Sequence, residues 1–143
     1  MHVGFIGLGN VGGKLSGSLL RNRIKLSVHD LDKDLVENFV SRGANNGKNP
    51  QNIMETCDVI ITCLPSPSAS NEVMQQMIDF VTTGKVWLEM STTDEAEVRR
   101  LGALVIEKDK AWNIKTNLDF KIMKKVIKIL KGTHNFSTFR SSI

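Results

Sequence analysis

Val3-Gly4-Phe5-Ile6-Gly7-Leu8-Gly9-Asn10-Val11-Gly12 stands near the start of this 143-residue chain and fixes the expected course of its backbone. A short apolar run predicts a strand. It meets glycines at 7, 9 and 12, in the spacing G-x-G-x-x-G, and a helical pattern begins at once, with Val11, Leu15 and Leu19 at four-residue spacing. A strand that turns through such glycines into a helix is the context in which the motif predicts a dinucleotide site. Gly7 permits a tight turn, Gly9 offers bare backbone to a pyrophosphate, and Gly12 lets the helix lie close to the strand. The helix N-terminus adds unpaired N–H groups and the positive end of a dipole.

The next strand-like run, Lys25-Leu26-Ser27-Val28-His29-Asp30, ends in an acid 18 positions beyond Gly12. That is close to the roughly 20 residues expected before the carboxylate that binds the adenosine ribose. A carboxylate there accepts hydrogen bonds from ribose hydroxyls and repels a 2′-phosphate, and Leu31, not an arginine, comes next. The chemistry therefore favours NAD over NADP. The plainer alternative is a set of glycines that only turn the chain and an Asp30 that only caps the next helix. Finding both features in register favours the cofactor.

Strand-like and helix-like segments alternate along the chain, which predicts an α/β fold: a Rossmann-type doubly wound parallel sheet with helices on both faces. The expected order is strand 2–6, helix 10–22, strand 25–30, and a helix from about Asp32. That last helix should carry Leu35, Val36, Phe39 and Val40 inward and stop at Gly43. Residues 44–50 read as a loop with at most a short strand, and Pro50 to Thr56 as two helical turns. Asp58-Val59-Ile60-Ile61-Thr62-Cys63-Leu64 is apolar enough for a strand buried on both faces, ended by Pro65 and Pro67. A helix over 69–83, with Val73, Met74, Met77, Ile78 and Val81 inward, then leads to strand 86–90. Another helix starts near Asp94 with Val98, Leu101 and Val105 as its stripe.

Composition agrees with a single packed domain: 41% hydrophobic and 24% charged residues, ordinary values for a globular protein. No apolar run approaches the roughly 18 residues of a membrane span, and the N-terminus has no signal-peptide pattern. Cys57 and Cys63 are too few for a disulfide framework, and Cys63 inside an apolar run predicts a buried free thiol. The expected compartment is the cytoplasm.

The net charge of +4 hides a division. Residues 1–108 carry 11 Lys and Arg against 13 Asp and Glu, a net of −2, whereas 109–143 carry 8 against 2, a net of +6. The first 108 residues thus present no nucleic-acid surface, and two parts are expected: a dinucleotide-binding domain over 1–108 and a divergent basic tail over 109–143.

In the tail, residues 116–131 predict a basic amphipathic helix. Thr116 and Asp119 start it, Leu118, Ile122, Met123, Val126, Ile127 and Leu130 form its stripe, and Lys121, Lys124, Lys125, Lys128 and Lys131 the opposite side. Docking on its own sheet with the lysines in water is the favoured expectation. A membrane surface or a partner protein suits such a helix as well, and a frameshift, an alternative exon or a truncated gene would also explain the abrupt change of character.

Three stretches make the chain resemble the β-hydroxyacid dehydrogenases, 3-hydroxyisobutyrate dehydrogenase in particular. They are Gly4-Phe5-Ile6-Gly7-Leu8-Gly9-Asn10-Val11-Gly12, Asp58-Val59-Ile60-Ile61-Thr62-Cys63-Leu64-Pro65, and Leu88-Glu89-Met90-Ser91-Thr92-Thr93. The resemblance covers about residues 1–108. It implies an NAD-dependent oxidoreductase of 3-hydroxy acids in which the Leu-Pro turn and the Thr of Ser-Thr contact the cofactor. The expected cofactor-binding set is then Gly7, Leu8, Gly9, Asn10, Val11, Gly12 and Asp30, joined through the resemblance by Leu64, Pro65 and Thr92. A further asparagine of some relatives has Ala69 in its place, with Asn71 nearby.

The resemblance also implies a glycine-rich substrate motif and a helical domain with a catalytic lysine. Neither is recognisable here, where 31 residues follow Trp112. The expectation is the cofactor-binding domain of such an oxidoreductase, with no catalytic and no metal-binding residue of its own. The expected partners are a further copy of the chain, in a homo-oligomer, or a separate chain carrying the lysine domain, which would complete it. The alternative is a non-catalytic nucleotide-binding module or partner subunit. His2, His29 and His134 are scattered, and Met74, Met77 and Met90 read as core.

Overall fold

The computed structural model describes residues 1–91 and 94–107, all within the unit Met1–Trp112. Thr92, Thr93 and everything from 108 onward, the helix expected over 116–131 included, lie outside the described residues.

Five parallel strands form one sheet in the order β3-β2-β1-β4-β5. They are β1 (His2–Ile6), β2 (Lys25–His29), β3 (Asn45–Asn46), β4 (Val59–Thr62) and β5 (Val86–Glu89). The helices are α1 (Asn10–Arg21), α2 (Lys33–Ser41), α3 (Pro50–Thr56), α4 (Pro67–Met77) and α5 (Glu95–Glu107). β1 pairs with β2 from His2↔Lys25 to Ile6↔His29 and with β4 from Val3↔Val59 to Ile6↔Thr62, so its C-terminal end opens at the centre of the sheet.

Alternation along the strands sends side chains to two cores. Val3, Phe5, Leu26 and Val28 pack with Val36 and Phe39 of α2. Ile6 and Ile60 pack on the other face with Ile53 and Met54 of α3, Met74 and Met77 of α4, and Leu101 and Val105 of α5. Helices on both faces make the sheet doubly wound. Each fully buried aliphatic side chain contributes roughly 1.5–3 kcal/mol. No described helix is long and apolar enough to cross a membrane.

Several local expectations are corrected. α1 buries Gly12, Ser16 and Gly17, while Val11 is exposed and Leu15 and Leu19 are only partly covered. Its approach to β1 is set by small residues and not by the leucine stripe. Val40 is exposed, because α2 turns only Val36 and Phe39 fully inward. Pro67 does not close β4. It opens α4 at the first turn, where its missing N–H costs nothing, and Ser66 caps that helix by accepting from Ala69 N–H at 3.2 Å. α4 ends at Met77, where a 3-10 turn (Ile78–Phe80) takes over. β4 is not buried on both faces: Ile60 and Thr62 are buried, but Val59 and Ile61 are half-buried. Met90, read as core, is exposed.

Candidate functional site

The site grows from the end of β1. Gly7 holds φ of +95°, a left-handed conformation that favours glycine, and its N–H donates to His29 O at 3.0 Å. The chain thereby leaves the strand sideways. A Cβ on Gly12 would lie 1.9 Å from Gly7 O, so only glycine lets α1 start this close to the turn. At Gly9 the space is different in kind: a Cβ there would meet nothing within 4 Å. The turn therefore requires glycine at 7 and 12 for its own construction, and leaves bare backbone facing open space at 9.

Helix capping makes the same distinction. α2 is capped by Asp32, α3 by Asn49 and α4 by Ser66. α1 has Gly9 at its N-cap position, with no side-chain cap and no acidic residue in its first turn. Its first N–H groups and the positive end of its dipole remain available to an anion.

Asp30 sits across the turn from that terminus. Its Oδ2 accepts from Leu8 N–H at 2.6 Å, and its Oδ1 accepts from Asp32 N–H at 2.9 Å. The carboxylate thus ties the β1–α1 turn to the end of β2. The cap of α2 is Asp32, which accepts from Asp34 N–H, so Asp30 is not a simple helix cap. Each carboxylate oxygen has a second lone-pair direction free for a hydroxyl donor.

These groups line a cleft of about 520 Å³. Gly7, Gly9, Asn10, Val11 and Gly12 form its floor, and His29, Asp30, Leu31, Leu35 and Pro50 form one wall. Cys63, Leu64, Pro65 and Met90 form the opposite wall, together with Ala69, Glu72, Val73 and Gln76, one helical face of α4. Among the described residues no lysine or arginine lines it, and the carboxylates that do are Asp30 and Glu72. The half-buried His29 imidazole is pushed below its ordinary value by burial, which outweighs the Asp30 charge and a backbone hydrogen bond at Lys48. Burial, then the Glu89 charge, pushes the Cys63 thiol up, which favours its neutral form at the cleft wall.

Among the residues expected from sequence, Gly7, Gly9, Asn10, Val11, Gly12, Asp30, Leu64 and Pro65 all line this cleft. Leu8 is buried with its N–H on Asp30, and Thr92 lies outside the described residues. Asn71 is turned away: its Oδ1 accepts from Arg100 at 2.6 Å, and Ala69 takes the cleft position. Sequence reasoning missed the α4 face, though the i, i+3, i+4, i+7 spacing of Ala69, Glu72, Val73 and Gln76 was there to be read. No described group of three or more His, Cys, Asp or Glu is arranged to hold a metal ion.

Comparison with known proteins agrees with this architecture. The family model for the NAD binding domain of 6-phosphogluconate dehydrogenase matches residues 2–113. The probable mitochondrial 3-hydroxyisobutyrate dehydrogenase of Arabidopsis thaliana is 28% identical over 94% of this chain, which spans 42% of that protein. The cytokine-like nuclear factor N-PAC of Xenopus tropicalis is 26% identical over 74% of the chain, which spans 20% of it. Among solved structures, the 3-hydroxyisobutyrate dehydrogenase of Mycobacterium tuberculosis superposes with a TM-score of 0.69. It does so at 20% identity, covering 75% of this chain and 38% of that one, a likeness of fold.

Proposed function

The chain belongs to the family of the NAD binding domain of 6-phosphogluconate dehydrogenase, and on that premise we propose that residues 1–108 bind NAD in the cleft between Asp30 and Leu64. The observation that carries the reading is the uncapped N-terminus of α1 beside a Gly9 whose Cβ direction is empty. The pyrophosphate lies there on backbone N–H groups. Asp30 receives the adenosine ribose hydroxyls on its free lone pairs, and the apolar walls take the base. Leu64 and Pro65 close over the dinucleotide, and the resemblance of Ser91-Thr92 to the family's Ser-Thr pair adds Thr92 to the contacting set.

NAD is preferred to NADP because, among the described residues, the cleft lining holds the carboxylates Asp30 and Glu72 and no lysine or arginine, and Asp30 at the ribose position repels a 2′-phosphate. The domain supplies a cofactor to a 3-hydroxy acid oxidoreductase of the 3-hydroxyisobutyrate dehydrogenase type. The similarity to the Arabidopsis protein over 94% of the chain supports this. Hydride transfer also needs a held alcohol and a positioned acid or base, and no residue of this domain takes that role. A separate lysine-bearing chain would provide it.

Calorimetry with the purified full chain tests the reading. NADH is expected to bind and NADPH to bind more weakly, with Asp30→Ala narrowing the gap. No NADH binding at millimolar concentration overturns the proposal, and tighter binding of NADPH overturns the role of Asp30. The second reading is a non-catalytic dinucleotide-binding module, supported by the similarity to N-PAC, a protein named as a nuclear factor. Absorbance at 340 nm across a panel of 3-hydroxy acids separates the two: robust turnover removes the module.

A further inference from the structure

We propose that Ser91, held by Glu89, is a positioning residue for the dinucleotide, because it fixes the Leu64–Pro65 turn that walls the cleft. The inference rests on the dinucleotide reading of that cleft. Neither Ser91 nor Glu89 lines it; Leu64, Pro65, Cys63 and Met90 do.

The β4–β5 ladder runs out at the cleft. Met90 N–H donates to Thr62 O at 2.8 Å and Cys63 N–H donates to Ile6 O at 2.9 Å, so β4 is still paired on both sides at this level. The next donor, Leu64 N–H, reaches no strand carbonyl. It donates to Ser91 Oγ at 2.7 Å. Pro65 comes next and has no N–H to give, so this bond is the last backbone anchor before the turn over the cleft.

The Ser91 hydroxyl is itself held. It donates its one proton to Glu89 Oε1, which also accepts from Ser91 N–H at 2.8 Å. Accepting from Leu64 while donating to a carboxylate uses the hydroxyl in both senses and leaves its rotor one orientation. A hydrogen bond backed by a carboxylate is stronger than a neutral one. Among the described residues the other carboxylate oxygen, Glu89 Oε2, is buried with no hydrogen-bond partner, so both bonds that Glu89 accepts there, on Oε1, come from Ser91. A carboxylate kept in so covered a place for one serine points to the geometry that serine enforces.

The test combines affinity with amide exchange on the full chain. Ser91→Ala is expected to weaken NADH binding about tenfold, the cost of one hydrogen bond of this kind, and to speed exchange of the Leu64 amide. Ser91→Thr, which keeps the hydroxyl, is expected to restore both. A merely structural role would speed exchange across the sheet, including the Val86 amide bonded to Asp58 O at the far end of the β4–β5 pair; a positioning role leaves Val86 unchanged.

Wild-type protein that binds NADH, with Ser91→Ala binding it equally well, overturns this inference alone. Wild-type protein that binds neither NADH nor NADPH overturns the dinucleotide reading and this inference with it. Should Ser91→Ala not fold, wild-type exchange decides: saturating NADH must slow the Leu64 amide more than the Val86 amide, and equal slowing overturns the proposal.

Discussion

The two halves of the sheet are made of similarly apolar strands and end up in different states. On β1 and β2, Phe5 and Val28 are 1% and 0% exposed. On β5, Val86 and Leu88 are 53% and 45% exposed. Register sets Val86 beside Val59 and Leu88 beside Ile61, both half-buried, so one open strip runs down the β4–β5 side of the face that α1 and α2 cover elsewhere. The difference lies in cover, not in strand chemistry. β1 and β2 receive α1 and α2 from the segments next in the chain, whereas among the described residues no helix covers that face of β5. The glycine turn and Asp30, which need a rigid base, stand on the covered half.

The largest test of this contrast is at Gly12. Gly12→Val places side-chain atoms against Gly7 O, a backbone atom that cannot swing away, and is expected to destabilise the chain by more than about 3 kcal/mol. Urea unfolding reads it directly. A native-like midpoint would mean that α1 does not rest so closely on the turn.

Next come paired truncations across the two halves. Ile60, fully buried, should lose about 2–5 kcal/mol on replacement by alanine. Leu88, already nearly half in water, should lose less than about 1 kcal/mol. Equal losses would show that the β5 face is covered in solution, and the contrast would fail.

Gly9→Val separates construction from binding. Stability should change by about 0.5 kcal/mol or less, because nothing lies within 4 Å of the new Cβ. NADH affinity should fall at least about a hundredfold, since the side chain fills the space proposed for the pyrophosphate. A stable Gly9→Val protein that keeps its NADH affinity would place the phosphates elsewhere.

The smallest effect is at His29. Its folded value lies below the ordinary 6.5 because of burial, so between the two values the unfolded chain binds more protons than the folded one. Stability therefore rises with pH through the window just below 6.5 and is lost on acidification through it. The melting temperature of the wild type should drop more between pH 7.5 and 5 than that of His29→Gln. Parallel curves would remove His29 from the pH response.

Much of this was legible in the chain itself. The spacing of Gly7, Gly9 and Gly12 after an apolar run specifies a turn through local sterics alone, and the acid at the end of the next strand is found from its distance along the chain. The run from Pro50 to Thr56 reads as two helical turns, and the structure forms α3 over the same residues. The 3-10 turn at Ile78–Phe80 was not legible, because the apolar pattern that predicted helix to 83 runs on through Ile78 and Val81 while the backbone tightens.

Local spacing thus determined the elements, the α/β class and the core of the proposed site, since each depends on residues within one turn or one strand. Only the tertiary structure decided that Asp30 ties down Leu8, 22 residues away, and that Ser91 anchors Leu64, 27 residues away. It also decided which face of α4 meets the cleft and which face of β5 stays open. Those outcomes come from strand order and inter-strand register, which bring distant groups to hydrogen-bond distance and which no window of neighbouring residues contains.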